Sequence, residues 1–352
     1  MCAPPGAGYS GGEAVATWGT TTHGGTTQML DRLEGRHAVV TGGAGFLGSW
    51  VCEALLDRGA RVTSLDDLST GRPANLEHLL DRPGFVSVET DVCEPLPVED
   101  DVDLVMHLAC PASPPAYLRM PVETLRVGSL GTFRALDLAL SHGARFVLSS
   151  TSEVYGDPLV HPQPETYWGN VNPIGPRSVY DEAKRFSEAA TAAYRRDRGL
   201  DSGIARIFNT YGPRMRHDDG RAVPAFASQA LRGEPLTVHG DGSQTRSLCF
   251  VEDTVRGLLA LACSDVPGPV NIGNDHEITV LELARSVRDA VGSTSPILFV
   301  ERPEDDPHVR RPDATRARQQ LGWEPTTSLA DGLRRTLDWF AAELEPAPVV
   351  TG

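Results

Sequence analysis

The sequence has no apolar run that approaches the roughly 20 residues needed to span a bilayer as a helix. Its first residues also lack the basic start and the apolar core of a secretory signal peptide. These two absences argue against a helical membrane protein and against a secreted one. We therefore expect the chain to work in the cytoplasm.

Cysteine is scarce as well, and its spacing carries no metal-binding pattern. None of the cysteines forms a CxxC pair or stands beside histidines at zinc-ligand spacing. We expect these thiols to be reduced and to serve mostly in packing, and we expect no metal site. The cysteines are Cys2, Cys52, Cys93, Cys110, Cys249 and Cys263.

Positive charge is in deficit, because 32 Lys and Arg residues face 47 Asp and Glu residues, for a formal net charge of −15. A broad negative field repels nucleic acid and anionic membranes, so neither is an expected partner. An anionic substrate would then need arginines grouped locally to hold it. An acidic surface that only keeps the protein soluble explains the charge equally well.

What the sequence does contain is a regular alternation of strand-like and helical segments. Alternation of this kind predicts an α/β fold with a Rossmann-type, doubly wound parallel sheet. Ligands of such a sheet bind in the crevice at the carboxyl ends of its strands. The predicted strands are 37–41, 61–65, 85–88, 103–109 and 145–150, and the predicted helices include 121–142 and 177–198.

Composition divides the remainder of the chain. Residues 1–33 are rich in Gly, Thr and Ala and show no apolar periodicity, which predicts a disordered leader. The last ten residues, 343–352, are predicted to be a flexible tail. We assign 34–209 to the doubly wound domain. Pro and Gly become frequent after it, so 210–342 is assigned mainly to a smaller substrate-binding region.

A glycine-rich turn follows the first predicted strand. Residues 43–48 form GxGxxG after Gly42, and a helical pattern begins at once. In this context the glycines bring backbone N–H groups and a helix N-terminus close to a pyrophosphate. Asp66 closes the next strand, where a carboxylate binds ribose hydroxyls and repels a 2′-phosphate. The pattern predicts that 34–209 binds NAD rather than NADP; the alternative is a glycine turn with a capping aspartate.

Tyr180 and Lys184 form YxxxK on a predicted helix, where residues i and i+4 share a face. A lysine cation beside a phenol favours the phenolate, which would make Tyr180 a usable base near neutral pH. The same ammonium group could hold the nicotinamide ribose. An isolated YxxxK is more often a pair of surface residues. The opposite face of this helix is apolar and is predicted to pack, either within the fold or against a second subunit.

The segment Ser149 to Gly156 lies at the end of a buried strand, where doubly wound folds place their active sites. Its hydroxyl groups could bond the substrate hydroxyl that Tyr180 deprotonates; a polar strand end capped by its own hydroxyls is the alternative. The expected catalytic residues are Tyr180, Lys184, Glu153, Ser152 and Thr151. The expected cofactor contacts are Gly42, Gly45, Phe46, Leu47, Gly48, Asp66, Asp67, Ser69, Thr70, Gly71, Asp91, Val92, Leu108, Ala109, Tyr180 and Lys184, with Asp91 either touching the adenine or only capping its own turn.

These motifs together resemble the extended short-chain dehydrogenase/reductase family, also called the NAD-dependent epimerase/dehydratase family, from about Gly35 to Phe340. Within it the sequence is most similar to the UDP-glucuronate decarboxylases, or UDP-xylose synthases. No single motif is specific, but the set is. The stretches that carry the resemblance are 107–115, 150–158, 172–177, 206–215, 233–238, 242–246, 305–307 and 310–313.

The resemblance implies a homodimer, formed through helices near 121–142 and 177–198, with tightly bound NAD and a UDP-sugar acid as substrate. It implies that Tyr180 is the base and Lys184 its partner. Two departures are Val127-Gly128-Ser129, where many relatives have Thr-Asn-Thr near the cofactor, and Cys110 in place of serine. The residues that the resemblance places on the substrate are Tyr117, Ser152, Glu153, Asn209, Arg221, Gln244, Arg246 and Arg310.

The implied reaction oxidises C4 of UDP-glucuronate, loses carbon dioxide from the resulting β-keto acid, and returns the hydride to give UDP-xylose. Early release of the cofactor would yield UDP-4-keto-xylose instead, and the sequence leaves this ratio open. A 4,6-dehydratase, a 4-epimerase or a non-catalytic NAD-binding sensor are the alternatives. Ser152-Glu153 favours decarboxylation, because dehydratases commonly carry Asp-Glu there to expel water. Arg246 could bind the carboxylate or the diphosphate.

Overall fold

A computed structural model describes residues 33–303 and 305–344, so the predicted leader and most of the predicted tail lie outside the described residues. Seven parallel strands form the central sheet, in the order β11-β6-β5-β4-β1-β2-β3. The expected α/β, Rossmann-type doubly wound fold is confirmed. The strands are β1 His37–Thr41, β2 Arg61–Asp66, β3 Phe85–Glu89, β4 Leu104–His107, β5 Arg145–Thr151, β6 Ser202–Ile207 and β11 Val270–Ile272.

Strand order reverses between β1 and β4, and this reversal opens the crevice. Thr41 and His107 pair at the carboxyl ends of these two strands. Side chains of β1 alternate between the two faces, with Val40 in one buried apolar cluster and Val39 in the other. Because both faces are covered, β1 is buried along its whole length.

Helices cover both faces of this sheet. The first of them, α1, directly follows the glycine-rich turn, and α5 carries YxxxK. The helices are α1 Phe46–Leu56, α2 Pro114–Arg119, α3 Pro121–Arg126, α4 Thr132–His142, α5 Ser178–Arg198, α6 Ala222–Arg232, α7 Val251–Ala262, α8 Val280–Val291, α9 Thr315–Leu321 and α10 Leu329–Leu344.

The predicted helix 121–142 is interrupted by a π-helical segment, Val127–Gly131, between α3 and α4. Here Gly128 packs against α5 so closely that a Cβ atom on it would lie 2.5 Å from the Cβ of Ala183. The carbonyl of Gly128 also accepts hydrogen bonds from Thr132 and Ser187, both at 2.9 Å. The π-helical interruption therefore coincides with the close packing of Gly128 against α5. The spacing of apolar residues in the sequence does not indicate this packing.

The region after residue 210 builds the second side of the crevice and also returns to the sheet. Strand β11 pairs with β6, and α7 packs on the sheet and against α1, so 210–342 contributes to both parts of the fold. The short strands of this region are β7 Thr210–Tyr211, β8 Leu236–His239, β9 Thr245–Ser247, β10 Cys249–Phe250, β12 Glu277–Thr279 and β13 Ile297–Val300.

Two absences apply to the described residues. No helix among residues 33–303 and 305–344 combines the length and the apolarity needed to cross a bilayer. The same residues contain no group of three or more His, Cys, Asp and Glu side chains placed to hold a metal ion.

One buried ion pair ties α5 to the sheet. Arg206 of β6 donates to both carboxylate oxygens of Glu188 on α5, at 2.9 and 2.7 Å. Ser150 of β5 donates to the same carboxylate at 2.6 Å. The helix that carries YxxxK is therefore fixed to two neighbouring strands by one side chain.

We expect Glu188→Gln to lower the free energy of unfolding by about 3 kcal/mol, because it leaves the buried Arg206 guanidinium uncompensated. Urea-induced unfolding measures the change. The control is Glu182→Gln on the same helix, which removes a half-exposed pair with Arg185 and should cost at most about 1 kcal/mol. Equal losses in the two variants would contradict this role for Glu188.

Candidate active site

A single cavity of about 780 Å³ occupies the crevice at the carboxyl ends of the strands. This volume is typical of a site for a large organic ligand. Its lining includes the glycine-rich turn and a group of arginines. The expected cofactor residues that line it are Gly42, Gly45, Phe46, Leu47, Gly48, Asp66, Asp67, Ser69, Thr70, Val92, Leu108, Ala109, Tyr180 and Lys184.

The glycine-rich turn forms a cradle that side chains would fill. Gly42 has φ +72°, a conformation that favours glycine. A Cβ atom on Gly48 would lie 1.9 Å from the carbonyl oxygen of Gly42. Helix α1 begins after Gly45 without a side-chain cap and without an acidic residue in its first turn. Its N-terminal N–H groups can therefore receive a pyrophosphate, as NAD requires.

Asp66 closes β2 beside this cradle. Its carboxylate accepts hydrogen bonds from the backbone N–H groups of Ala44 and Leu68, both at 2.9 Å. Burial raises the pKa of this carboxyl group above its usual value. A carboxylate can accept about four hydrogen bonds, so capacity for ribose hydroxyls remains. The donor and acceptor set therefore fits NAD.

Two expected cofactor residues lie outside the lining. Gly71 supports Asp66 from behind, since a Cβ atom there would lie 2.5 Å from the Asp66 Oδ1 atom. Asp91 is exposed and accepts a hydrogen bond from the backbone N–H of Cys93 at 2.8 Å. In the structure, Asp91 therefore caps its own turn, one of the two roles expected for it.

Tyr180 and Lys184 are both buried on α5 and both line the cavity. The Lys184 Nζ atom donates to the carbonyl of Ser149 at 2.8 Å. Burial raises the pKa of Tyr180 above its ordinary value. A hydrogen bond with Thr151 and the charge of Arg221 lower this pKa, but only in part. The net direction is a rise, because desolvation of the phenolate outweighs the hydrogen bond with Thr151 and the charge of Arg221. The expected lowering of this pKa by Lys184 stays a prediction.

A second tyrosine stacks on the first. The rings of Tyr117 and Tyr180 are nearly parallel, with centroids 5.4 Å apart and 6° between their planes. The Tyr117 hydroxyl is enclosed and has no hydrogen-bond partner among the described residues. A buried hydroxyl without a partner is costly, so this group is available to a sugar hydroxyl in the cavity.

Glu153 lies between two arginines in a 3₁₀-helical turn, Ser152–Tyr155. Its Oε2 atom is 2.7 Å from Arg177 and 3.4 Å from Arg310. Burial alone would raise the pKa of Glu153, but Arg310 and Arg177 outweigh it and lower the pKa to about 2. Glu153 is therefore a carboxylate at neutral pH. Arg310 does not line the cavity; it holds Glu153 and the carbonyl of Ser152 from behind.

Two arginines of the cavity lining, Arg246 and Arg221, are already paired with carboxylates. Arg246 lies 3.0 Å from Asp306, and Arg221 donates to Asp219 at 2.8 Å. All four side chains line the cavity. A ligand anion that binds either guanidinium group therefore shares it with a carboxylate or replaces that carboxylate.

Two further residues that are expected to bind the substrate, Asn209 and Gln244, also line the cavity. The Asn209 Oδ1 atom is enclosed and has no hydrogen-bond partner among the described residues. Gln244 donates through Nε2 to the carbonyl of His239 at 2.8 Å. Asn209 is thus free to bind a ligand, whereas Gln244 is partly engaged by the protein.

Sequence reasoning assigned no role to several lining residues. Arg177 precedes Tyr180 by three positions and ends the stretch 172–177, which carries the family resemblance. That stretch could therefore have indicated a role for Arg177. Arg214 lies over the Trp50 ring, with 4.2 Å between guanidinium carbon and ring centroid, and pairs with Glu53. Asp306 lies within the stretch 305–307 that carries the family resemblance, so that stretch could have indicated it, whereas Asp219 shows no signal in the sequence beyond its charge.

Comparison with known proteins agrees with this geometry. Residues 38–273 match the NAD dependent epimerase/dehydratase family. UDP-glucuronic acid decarboxylase 1 of Arabidopsis thaliana is 53% identical over 302 residues, which cover 86% of this chain and 69% of that protein. UDP-glucuronic acid decarboxylase 1 of Danio rerio is 48% identical over 318 residues, with coverages of 90% and 76%.

Solved structures show the same fold. The UDP-glucose 4-epimerase of Thermotoga maritima with UDP-glucose has a TM-score of 0.78 and 29% identity, and the match covers 88% of this chain and 100% of that one. The dTDP-glucose 4,6-dehydratase DesIV of Streptomyces venezuelae with NAD has a TM-score of 0.78 and 29% identity, with coverages of 87% and 97%.

We expect Gly45→Ala and Gly48→Ala to differ in a diagnostic way. A Cβ atom on Gly45 meets the protein only at the Gly42 carbonyl oxygen, at 3.1 Å, and in a G-x-G-x-x-G turn the backbone at this glycine approaches the pyrophosphate. Gly45→Ala should weaken NAD binding about 100-fold and lower the melting temperature of the free protein much less than Gly48→Ala does. Gly48→Ala should lower both the affinity for NAD and the melting temperature, because its Cβ atom would collide with the backbone of the glycine-rich turn.

Isothermal titration with NAD and thermal unfolding without it measure the two effects. If Gly45→Ala bound NAD like the wild type, the cradle would not be the pyrophosphate site.

Proposed function

The chain belongs to the NAD dependent epimerase/dehydratase family, and we propose that it decarboxylates UDP-glucuronate to UDP-xylose through a UDP-4-keto intermediate. The observation that carries the proposal is the composition of one cavity. Its lining brings together Tyr180, Ser152 and Glu153, the glycine cradle and the arginines that are paired with carboxylates. The likeness to decarboxylases over most of the chain supports the same assignment.

NAD bound in the cradle would supply the acceptor for the C4 hydride and the means of its return. Tyr180 is the group placed to take the proton of the C4 hydroxyl. Thr151, which hydrogen-bonds Tyr180, and Arg221 favour the phenolate that this step needs. Lys184 holds the end of β5 in place through Ser149 and leaves its remaining N–H donors for the nicotinamide ribose.

The C4 ketone turns the neighbouring carboxylate into a β-keto acid. The bond between C5 and the carboxyl carbon then breaks, carbon dioxide leaves, and the electron pair enters an enolate. This step needs no acid for a leaving group, so Ser152 suffices at a position where expulsion of water would require a carboxylic acid. Ser152-Glu153 thus favours decarboxylation over 4,6-dehydration.

Arg246 and Arg221 are the groups proposed to hold the anionic parts of the substrate. Their ion pairs with Asp306 and Asp219 support this assignment, because a guanidinium group binds a carboxylate and a phosphate in the same bidentate way. We favour the diphosphate for Arg246, because a tight grip on the sugar carboxylate would oppose its loss. We also propose that NAD stays bound through each cycle and that the enzyme works in the cytoplasm.

A homodimer is the proposed assembly, and exposed apolar side chains support it. Phe133 of α4 and Phe186 of α5 touch edge to face, with centroids 5.5 Å apart, yet are 38% and 40% exposed. Leu125 and Leu130, which precede Phe133 in the sequence, are also exposed. Exposed apolar side chains grouped on neighbouring elements are typical of a subunit interface.

Incubation of the protein with NAD and UDP-glucuronate should release carbon dioxide and form UDP-xylose, identified by mass spectrometry together with any UDP-4-keto-xylose. Tyr180→Phe should abolish turnover while NAD binding persists, because it removes only the proton acceptor. Turnover of a hexose nucleotide but not of UDP-glucuronate would refute the proposed substrate. An unaffected rate in Tyr180→Phe would remove Tyr180 as the base.

Phe186→Asp should convert the dimer to a monomer, because a buried, unpaired carboxylate at the interface is costly. Analytical ultracentrifugation measures the mass. Phe299→Asp is the control, since Phe299 is equally apolar and 58% exposed but lies on β13, away from α4 and α5. A monomeric wild type, or a dimer that survives Phe186→Asp, would contradict the proposed interface.

A further inference from the structure

A second carboxyl group lies within electrostatic range of Glu153. Asp181 directly follows Tyr180 in the first turn of α5 and is only 6% exposed. Its Oδ1 atom is enclosed and has no hydrogen-bond partner among the described residues. A buried carboxylate oxygen without a donor is unfavourable, so this geometry favours the neutral acid.

The charges around Asp181 act in the same direction. Glu153 faces it from the 3₁₀ turn, Arg177 from the segment before α5 and Arg310 from the segment after β13, while Tyr117 faces it from α2. Burial and the charge of Glu153 raise the pKa of Asp181 to about 8, and the arginines oppose this rise. On its own helix, Glu182 adds to it.

Glu153 and Asp181 therefore differ in protonation at neutral pH, Glu153 as the carboxylate and Asp181 as the neutral acid. The arginines touch Glu153 directly and lower its pKa, whereas Asp181 lies farther from them and keeps its proton. Two interacting carboxyl groups whose pKa values are driven apart commonly mark an acid and a base.

Decarboxylation consumes one proton, and this point rests on the proposed function. Loss of carbon dioxide leaves an electron pair that must form a new C5–H bond. The proton that Tyr180 removes from the C4 hydroxyl is needed again when the C4 hydroxyl is rebuilt. The C5 proton must therefore come from another group, and Glu153 carries none at neutral pH.

We propose that Asp181 stores this proton and passes it through Glu153 to C5 of the sugar. Glu153 lines the cavity and Asp181 does not, so Asp181 is a positioning residue that acts through its neighbour. The Glu153 carboxylate first takes the proton of Asp181, and the neutral Glu153 carboxyl group then gives a proton to C5 as the C5–H bond forms. Asp181 ends as the carboxylate and regains a proton from water before the next turnover.

The first test does not depend on turnover. The infrared spectrum of the wild type at neutral pH should show the carbonyl band of a buried neutral carboxyl group. Asp181→Asn, which matches the shape of the neutral acid, should lose this band, and the control Glu182→Gln should keep it. A wild type without the band, or a band that survives in Asp181→Asn, overturns the proposal.

The second test follows single turnovers of UDP-glucuronate by the absorbance of the reduced nicotinamide. In Asp181→Asn the rise should be unchanged, since C4 oxidation does not use Asp181. The decay should slow about 100-fold, together with deuterium incorporation at C5 in heavy water. Equal effects on rise and decay, or none on either, contradict the proton relay.

The pH profile gives the sign of the effect. Because Asp181 must be protonated, the wild-type decay should be fastest at low pH and should slow as the pH rises through about 8. Asp181→Glu keeps a carboxyl group and should restore most of the rate. If Asp181→Asn does not bind NAD, a shifted infrared band in Asp181→Glu assigns the proton instead, and an unshifted band overturns the proposal.

The two proposals fail differently. A wild type that shows the band but releases no carbon dioxide contradicts the proposed function, and delivery to C5 with it. A wild type that releases carbon dioxide without the band contradicts only the role of Asp181.

Discussion

The position of α5 against the sheet is the constraint on which the site depends. Three contacts fix it along its length: Gly128 against Ala183, the Lys184 ammonium on the carbonyl of Ser149, and Glu188 on Arg206. These contacts hold the helix from which Tyr180 lines the cavity. Since α5 also presents Phe186 outward, the element that aligns the base is the one proposed to meet the second subunit.

Electrostatics inside the cavity follows local pairing rather than the net charge of the chain. Desolvation dominates at Tyr180 and Asp181, whose pKa values are raised, whereas direct contact with two arginines dominates at Glu153. One small region thus holds a protonated phenol, a neutral acid and a carboxylate. Such differences between neighbouring groups are what acid–base chemistry at neutral pH requires.

Local spacing in the sequence was enough to predict β1, the glycine turn, Asp66 and the pair Tyr180–Lys184, because each is defined within one strand–turn–helix unit. The π-helical segment could not be predicted from local spacing, because it accompanies the close packing of Gly128 against α5, more than 50 residues later in the sequence. The pairing of Arg246 with Asp306 likewise joins residues 60 positions apart. The direction of the Tyr180 pKa shift depends on burial, which a motif does not encode.

The carboxylate partners of Arg246 and Arg221 have a consequence for ligand exchange. Under the proposed function, an arriving diphosphate would meet guanidinium groups that already have carboxylate partners, so the net electrostatic gain on binding would be smaller than for unpaired arginines. After the product leaves, Asp306 and Asp219 would still compensate the charge of the two arginines, so release of the nucleotide would leave neither guanidinium group without a counter-charge.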